Sequence, residues 1–296
     1  MNEVICSCFN RNIKLFFKDI CINIKEFKFW LKRDCPNSEI LNDCQTYEYV
    51  VFCENSIITT EYNIINNTIV LRGNFEKCEA WFAKFISQLF QKLLLKDQII
   101  FLNAACVIFN NEAALMIGDF GQGKTSTAMA INESLKSSIL LSDNYVAIKD
   151  NHVIGATDYI SIRDENNYAQ EKIKKSNLLF NKNNRDFYNI DSNKNIKYII
   201  KKIIVPFINS GDENFHIVSK EESKWYLYQK MCRLINGETV LFNGILPSPI
   251  FNDEESSKEI LNICNCYLEK SDILYASSSI ENLVIYISNI LGWCNE

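Results

Sequence analysis

Gly118-Asp119-Phe120-Gly121-Gln122-Gly123-Lys124-Thr125 follows the pattern G-x-x-x-x-G-K-[ST]. These residue types at this spacing suit phosphate chemistry. Gly121 and Gly123 allow a tight turn that brings backbone N–H groups close to anionic oxygens. Lys124 supplies a cation for β- and γ-phosphates, the Thr125 hydroxyl suits Mg²⁺, and Ser126 follows in the same turn. The stretch Gly118 to Ser126 therefore predicts a site for ATP or GTP with Mg²⁺. The bland alternative is a glycine-rich turn with a surface lysine.

Asp143 stands nineteen residues after Lys124, at the end of the apolar run Ile139-Leu140-Leu141. A carboxylate there can reach nucleotide-bound Mg²⁺ directly or through water, or accept a proton from an attacking hydroxyl. Asn144 beside it can offer a neutral oxygen. Arg163 is either a partner for phosphate charge or an ordinary strand-end arginine.

These residues need a strand before the loop and a helix after it. Ala113 to Ile117 is an apolar run suited to a buried strand, and Thr125 to Leu135 is helix-compatible. Ile99 to Phe109, interrupted at Asn103-Ala104-Ala105, makes a hairpin with that strand through Asn110-Asn111. Tyr145 to Ile148 continues extended, Lys149 to His152 turns, and Val153 to Ile162 returns. His152 reads as a surface histidine.

Upstream, Phe16, Phe17, Phe27, Phe29 and Trp30 are expected to cover one face of a sheet. Residues 47–53 and 68–72 read as strands, with turn-prone Asn66-Asn67 between them. From Phe75 to Leu95 apolar residues recur at three and four, predicting an amphipathic core helix. Downstream, the Lys/Asn-rich segment 171–202 reads as a loop or insertion near the site, or as a solvated surface segment. Ile199 to Phe207 reads as a strand that Pro206 places near an edge or end. Ser219 to Glu222 is a capping box for a helix to Cys232. Asp253 caps a helix to Leu268. Ile273 to Ala276 is a short strand, and Ser278 to Glu281 a second capping box.

Composition narrows the partners. With 47% hydrophobic and 23% charged residues, the chain of 296 is ordinary in composition and can build one large or two modest domains. A net charge of -5 with mixed signs argues against a nucleic-acid surface. No apolar run reaches the roughly 18 residues of a membrane span, and Met1 to Cys35 lacks a signal peptide's apolar core. A cytoplasmic protein with no membrane partner is expected. The 12 cysteines include no C-x-x-C pair, so reduced, buried thiols are expected rather than zinc ligands.

The order of these elements resembles the HPr kinase/phosphorylase superfamily, including its smaller HPr-kinase-like relatives from peptide-modification gene clusters. The resemblance is carried by Asn103-Ala104-Ala105, Gly118 to Thr125, Leu140-Leu141-Ser142-Asp143-Asn144 and Ile203-Ile204-Val205-Pro206. It covers residues 99–163 well, and 197–232 and 271–291 loosely. It implies an α/β, PEP-carboxykinase-like mixed sheet in residues 98–296, preceded by a β-plus-helix region in residues 1–97. It implies Asp143 as base, Lys124 as a second catalytic residue, Thr125 as the main metal residue with Asp143 and Asn144 beside it, and a peptide or protein Ser/Thr hydroxyl as acceptor. A homo-oligomer is compatible with it. Family members carry histidine at the position of Asn103 and a second aspartate at that of Asn144. Those two amides keep a non-catalytic nucleotide-binding partner and a P-loop NTPase open as alternatives to a kinase.

Overall fold

The computed structural model describes residues 2–56, 61–163, 178–181, 185–189, 197–209, 213–237 and 251–293. Much of the Lys/Asn-rich segment 171–202 lies outside the described residues, and its described parts, 178–181, 185–189 and 198–202, are strands rather than the loop expected from sequence. The chain is a mixed α/β protein that divides into two compact units, residues 1–99 with 232–259, and 100–231 with 260–296.

The first unit is built on one mixed sheet. Its strands are β1 (Asn2–Cys8), β2 (Arg11–Lys18), β3 (Ser38–Leu41), β4 (Tyr49–Asn55), β5 (Glu61–Ile65) and β6 (Thr68–Gly73), in the order β3-β1-β2-β4-β6-β5. β2, β4 and β6 run parallel, and the remaining pairings are antiparallel. Helix α1 (Ile24–Asp34) and helix α2 (Glu79–Leu95) bring the core to it, with Phe17 and Phe82 meeting edge to face at 5.1 Å.

Two expectations change here. Phe16 and Phe17 are neighbours on β2 and so face opposite sides. Phe27 and Trp30 belong to α1, whose start is set by the Asn23 side chain accepting from the Glu26 N–H. The second helix begins at Glu79, not Phe75, because Lys77 has φ 52°, incompatible with a right-handed helix.

The second unit holds an eight-stranded sheet. Its strands are β7 (Ile100–Phe109), β8 (Glu112–Ile117), β9 (Ile139–Ser142), β10 (Tyr145–Lys149), β11 (His152–Ala156), β15 (Tyr198–Ile208), β16 (Asn214–Ile217) and β17 (Ile273–Ser278). The order is β11-β10-β7-β8-β15-β17-β16, with β9 also on β7. β12 (Tyr159–Arg163), β13 (Leu178–Asn181) and β14 (Arg185–Asn189) form a separate antiparallel sheet in the order β12-β14-β13.

Helix α3 (Lys124–Ser134) and helix α6 (Ile280–Leu291) cover one face of the large sheet. Ala128 and Ile131 of α3 and Leu283 and Ile287 of α6 share a core with Val107, Met116, Ile204 and Leu274. Trp293, just beyond α6, joins that core and donates to Glu112 at 3.1 Å.

β7 is one unbroken strand through Asn103-Ala104-Ala105, held there by β8 and β10 on its two edges. β15 is interior, between β8 and β17, so Pro206 marks its end rather than an edge. Helix α4 (Lys220–Cys232) starts at the expected box: the Glu222 N–H donates to Ser219 Oγ and the Ser219 hydroxyl returns to Glu222. Helix α5 (Glu254–Leu268) is capped by Asp253, which accepts from the Ser256 N–H at 2.9 Å. The cap of α6 is Ser279, not Ser278, whose hydroxyl points to Glu213 instead.

Cys6, Cys53, Cys106 and Cys264 are buried free thiols that pack as small apolar groups. Among the described residues no helix is long and apolar enough to cross a membrane.

Candidate functional site

β8, β15 and β17 are parallel, and β9 and β10 share their direction because each is antiparallel to β7. The carboxyl ends of β8, β9, β15 and β17 therefore lie on one rim, with the start of β10 beside them; β11 also pairs with β15, so β11, β10, β7, β8 and β15 close on themselves. Everything singled out between Gly118 and Asn144 lies on that rim.

The loop leaves β8 at Ile117. Gly118, Gly121 and Gly123 take φ of 150°, 83° and 97°. Gly123, the N-cap residue of α3, is left-handed, and a β-carbon there would meet Ile208 Cδ1 at 2.6 Å. Glycine is thus required twice over, by the backbone angle and by the end of β15. The loop is braced by the Asp119 N–H on Gln122 Oε1 at 2.7 Å and by the Ile208 N–H on Gln122 O at 3.3 Å.

The first N–H groups of any helix lack intrahelical acceptors and carry its positive end, so the start of α3 favours an anion. Lys124 Nζ donates to the carbonyls of Gly118 and Asp119 at 3.0 and 2.9 Å. Those neutral acceptors can be exchanged for charged ones. Thr125 and Ser126 are half-buried in the first turn, and Phe120 is largely exposed.

Asp143 and Asn144 form the bend between β9 and β10. Asn144 N–H donates to Ser142 Oγ at 3.2 Å, and that hydroxyl lies 3.0 Å from Thr157 Oγ1. Asp143 is buried, and its Oδ2 accepts from the Ser161 N–H of β12 at 2.9 Å. Asn103 Nδ2 donates to Asn144 Oδ1 at 3.0 Å.

Register fixes how near these parts come. Ala104 pairs with Ile117 on one edge of β7, while on the other edge its N–H donates to Asn144 O at 2.9 Å. The bend and the start of the loop are thus level, two strand spacings apart, about 10 Å. Asn103 shares a face of β7 with Ala105 and Val107, which pack in the core with α3. The side chain of Arg163 lies outside the described residues. His152 is at a hairpin start, its Nδ1 2.8 Å from Asp150 O, away from this rim.

Two contributors were not singled out from sequence, Tyr226 and Lys230 on α4. Lys230 Nζ is 2.6 Å from Asp119 Oδ1 and lies 4.7 Å from the Tyr226 ring centroid. Tyr226 Oη sits 3.6 Å from where a Gly118 β-carbon would be. Burial first, then Asp119 and Tyr275, raise the Tyr226 phenol well above its usual range, so it stays a donor at neutral pH. Their i, i+4 spacing marks one helix face, but nothing in the sequence ties that face to the loop. On the same helix, Trp225 is exposed.

Thr125, Asp143 and Asn144 are all oxygen donors, the chemistry Mg²⁺ takes. No group of three or more His, Cys, Asp or Glu among the described residues could hold a metal alone.

The rim and its glycine loop define a mixed α/β protein with an anion-ready strand–loop–helix. No protein-family model matches this chain, and no curated protein matches it.

Proposed function

We propose that the chain is an ATP- and Mg²⁺-dependent kinase of the HPr-kinase-like type, transferring phosphate to a Ser or Thr hydroxyl of a peptide or protein. The observation that carries the reading is the level placement of the glycine loop and the Asp143 bend on either side of β7. The loop amides and Lys124 would hold the triphosphate. When bound, Mg²⁺ would offset charge on the phosphates, with Thr125, Asp143 and Asn144 as its protein oxygens. Asp143 would take the proton of the acceptor hydroxyl, its Oδ2 already oriented by the Ser161 N–H. The acceptor class rests on the family resemblance alone.

The Asn103–Asn144 hydrogen bond favours a second reading, a nucleotide-binding partner without turnover. A neutral amide pair lacks the titratable groups that would tune Asp143. A P-loop NTPase is the third reading and would release phosphate without an acceptor.

Calorimetry with MgATP and MgGTP, followed by labelled-phosphate transfer to Ser- and Thr-containing peptides, separates the three. Transfer supports the kinase. Binding without turnover supports the partner, and free phosphate alone supports the NTPase. No uptake of either nucleotide would sink all three.

A further inference from the structure

Asp119 is out of place in an anion loop. Its side chain follows Gly118 directly, and an uncompensated carboxylate there would repel phosphate oxygens. The fold brings a cation to it from far along the chain: Lys230 Nζ, 111 positions further on, lies 2.6 Å from Asp119 Oδ1. The lysine is not a loose surface partner. Its side chain is only 10% exposed and lies along the Tyr226 ring. Tyr226 Oη is buried beside Gly118 with no hydrogen-bond partner among the described residues, so a donor waits where an acceptor would arrive.

We infer that Lys230 is a positioning residue of the loop, cancelling the charge of Asp119 and so setting how tightly the loop takes a polyphosphate. This rests on the nucleotide-binding reading above. Lys230 acts through Asp119, not on the reacting atoms. α4 thereby becomes part of the binding machinery, and the ligand class it serves is a nucleoside triphosphate or a simpler polyphosphate.

The test is a charge cycle on the full-length chain, with MgATP affinity read by calorimetry and folding checked by thermal melting. Lys230→Met keeps the apolar stem over Tyr226 and is expected to weaken MgATP about tenfold, within the range of ordinary coupling between neighbouring charges. Lys230→Arg should retain affinity. Asp119→Asn alone should tighten binding, and Asp119→Asn with Lys230→Met should return to within about threefold of the starting protein. A merely structural lysine would not be rescued by removing its partner's charge. The inference is overturned if the double variant stays as weak as Lys230→Met, or if Lys230→Met binds normally. If the unmodified protein binds neither MgATP nor MgGTP, the functional reading fails and this inference falls with it.

Discussion

The two sides of β7 are built for different electrostatics. On the β8 side, the loop joins helix amides, Lys124 and the Lys230–Asp119 pair, so charge is abundant around the glycine turn. On the β9–β10 side, one carboxylate, Asp143, stands beside two amides bonded to each other. On the proposed reading, the contrast teaches that gripping a phosphate and moving a proton are separately encoded here. The first uses backbone geometry and several charges, while the second depends on a single side chain. Damage to each side should therefore read out differently.

The largest expected effect is on the proton side. Asp143→Asn should lower phosphotransfer by roughly 10²–10⁴-fold while leaving MgATP affinity within a few-fold, as expected for loss of a general base. Equal losses of binding and transfer would merge the two sides. Gly123→Ala attacks the other side. Its β-carbon meets Ile208 at 2.6 Å on a backbone at φ 97°, so nucleotide binding should fall at least tenfold, with a thermal destabilisation of about 1–3 kcal/mol.

Asn144→Asp sharpens the comparison by adding charge where the amide pair stands. It should lower the Mg²⁺ concentration needed for nucleotide binding several-fold, because carboxylates attract the cation more than amides do. An unchanged Mg²⁺ dependence would remove Asn144 from the metal set.

The smallest effect serves as a control in the other unit. Lys92, then the Ser256 N–H, hold Asp253 well below the usual carboxylate range. A depressed folded-state pKa adds stability that is present above about pH 4 and lost as pH falls further. Asp253→Asn keeps a capping oxygen but loses the ion pair. With Asp253 49% exposed, that should cost no more than about 1 kcal/mol at neutral pH, and the acid sensitivity of melting should shrink.

Much of this architecture was legible because short signals were local. Asn66-Asn67, Asn110-Asn111 and Asp150-Asn151 all take positive φ at both positions, as two-residue hairpin turns of this composition do. The strand–loop–helix around Gly118 was readable for the same reason. Helix α1 escaped, although Asn23 three residues before Glu26 was a usable start signal; the dense aromatics obscured it. The apparent break at Asn103-Ala104-Ala105 misled because strand neighbours, not propensity, keep β7 straight. At the site, the loop and Asp143 could be proposed from spacing. The Asn103–Asn144 bond, the Ser161 N–H on Asp143 and the Lys230–Asp119 pair depend on register and helix docking, which no local pattern encodes.

The tryptophans divide unevenly. Trp30, Trp81 and Trp293 are at most 8% exposed, whereas Trp225 on α4 is 60% exposed. Acrylamide therefore quenches one indole in preference to three, giving an unlabelled optical handle on the helix that carries Lys230.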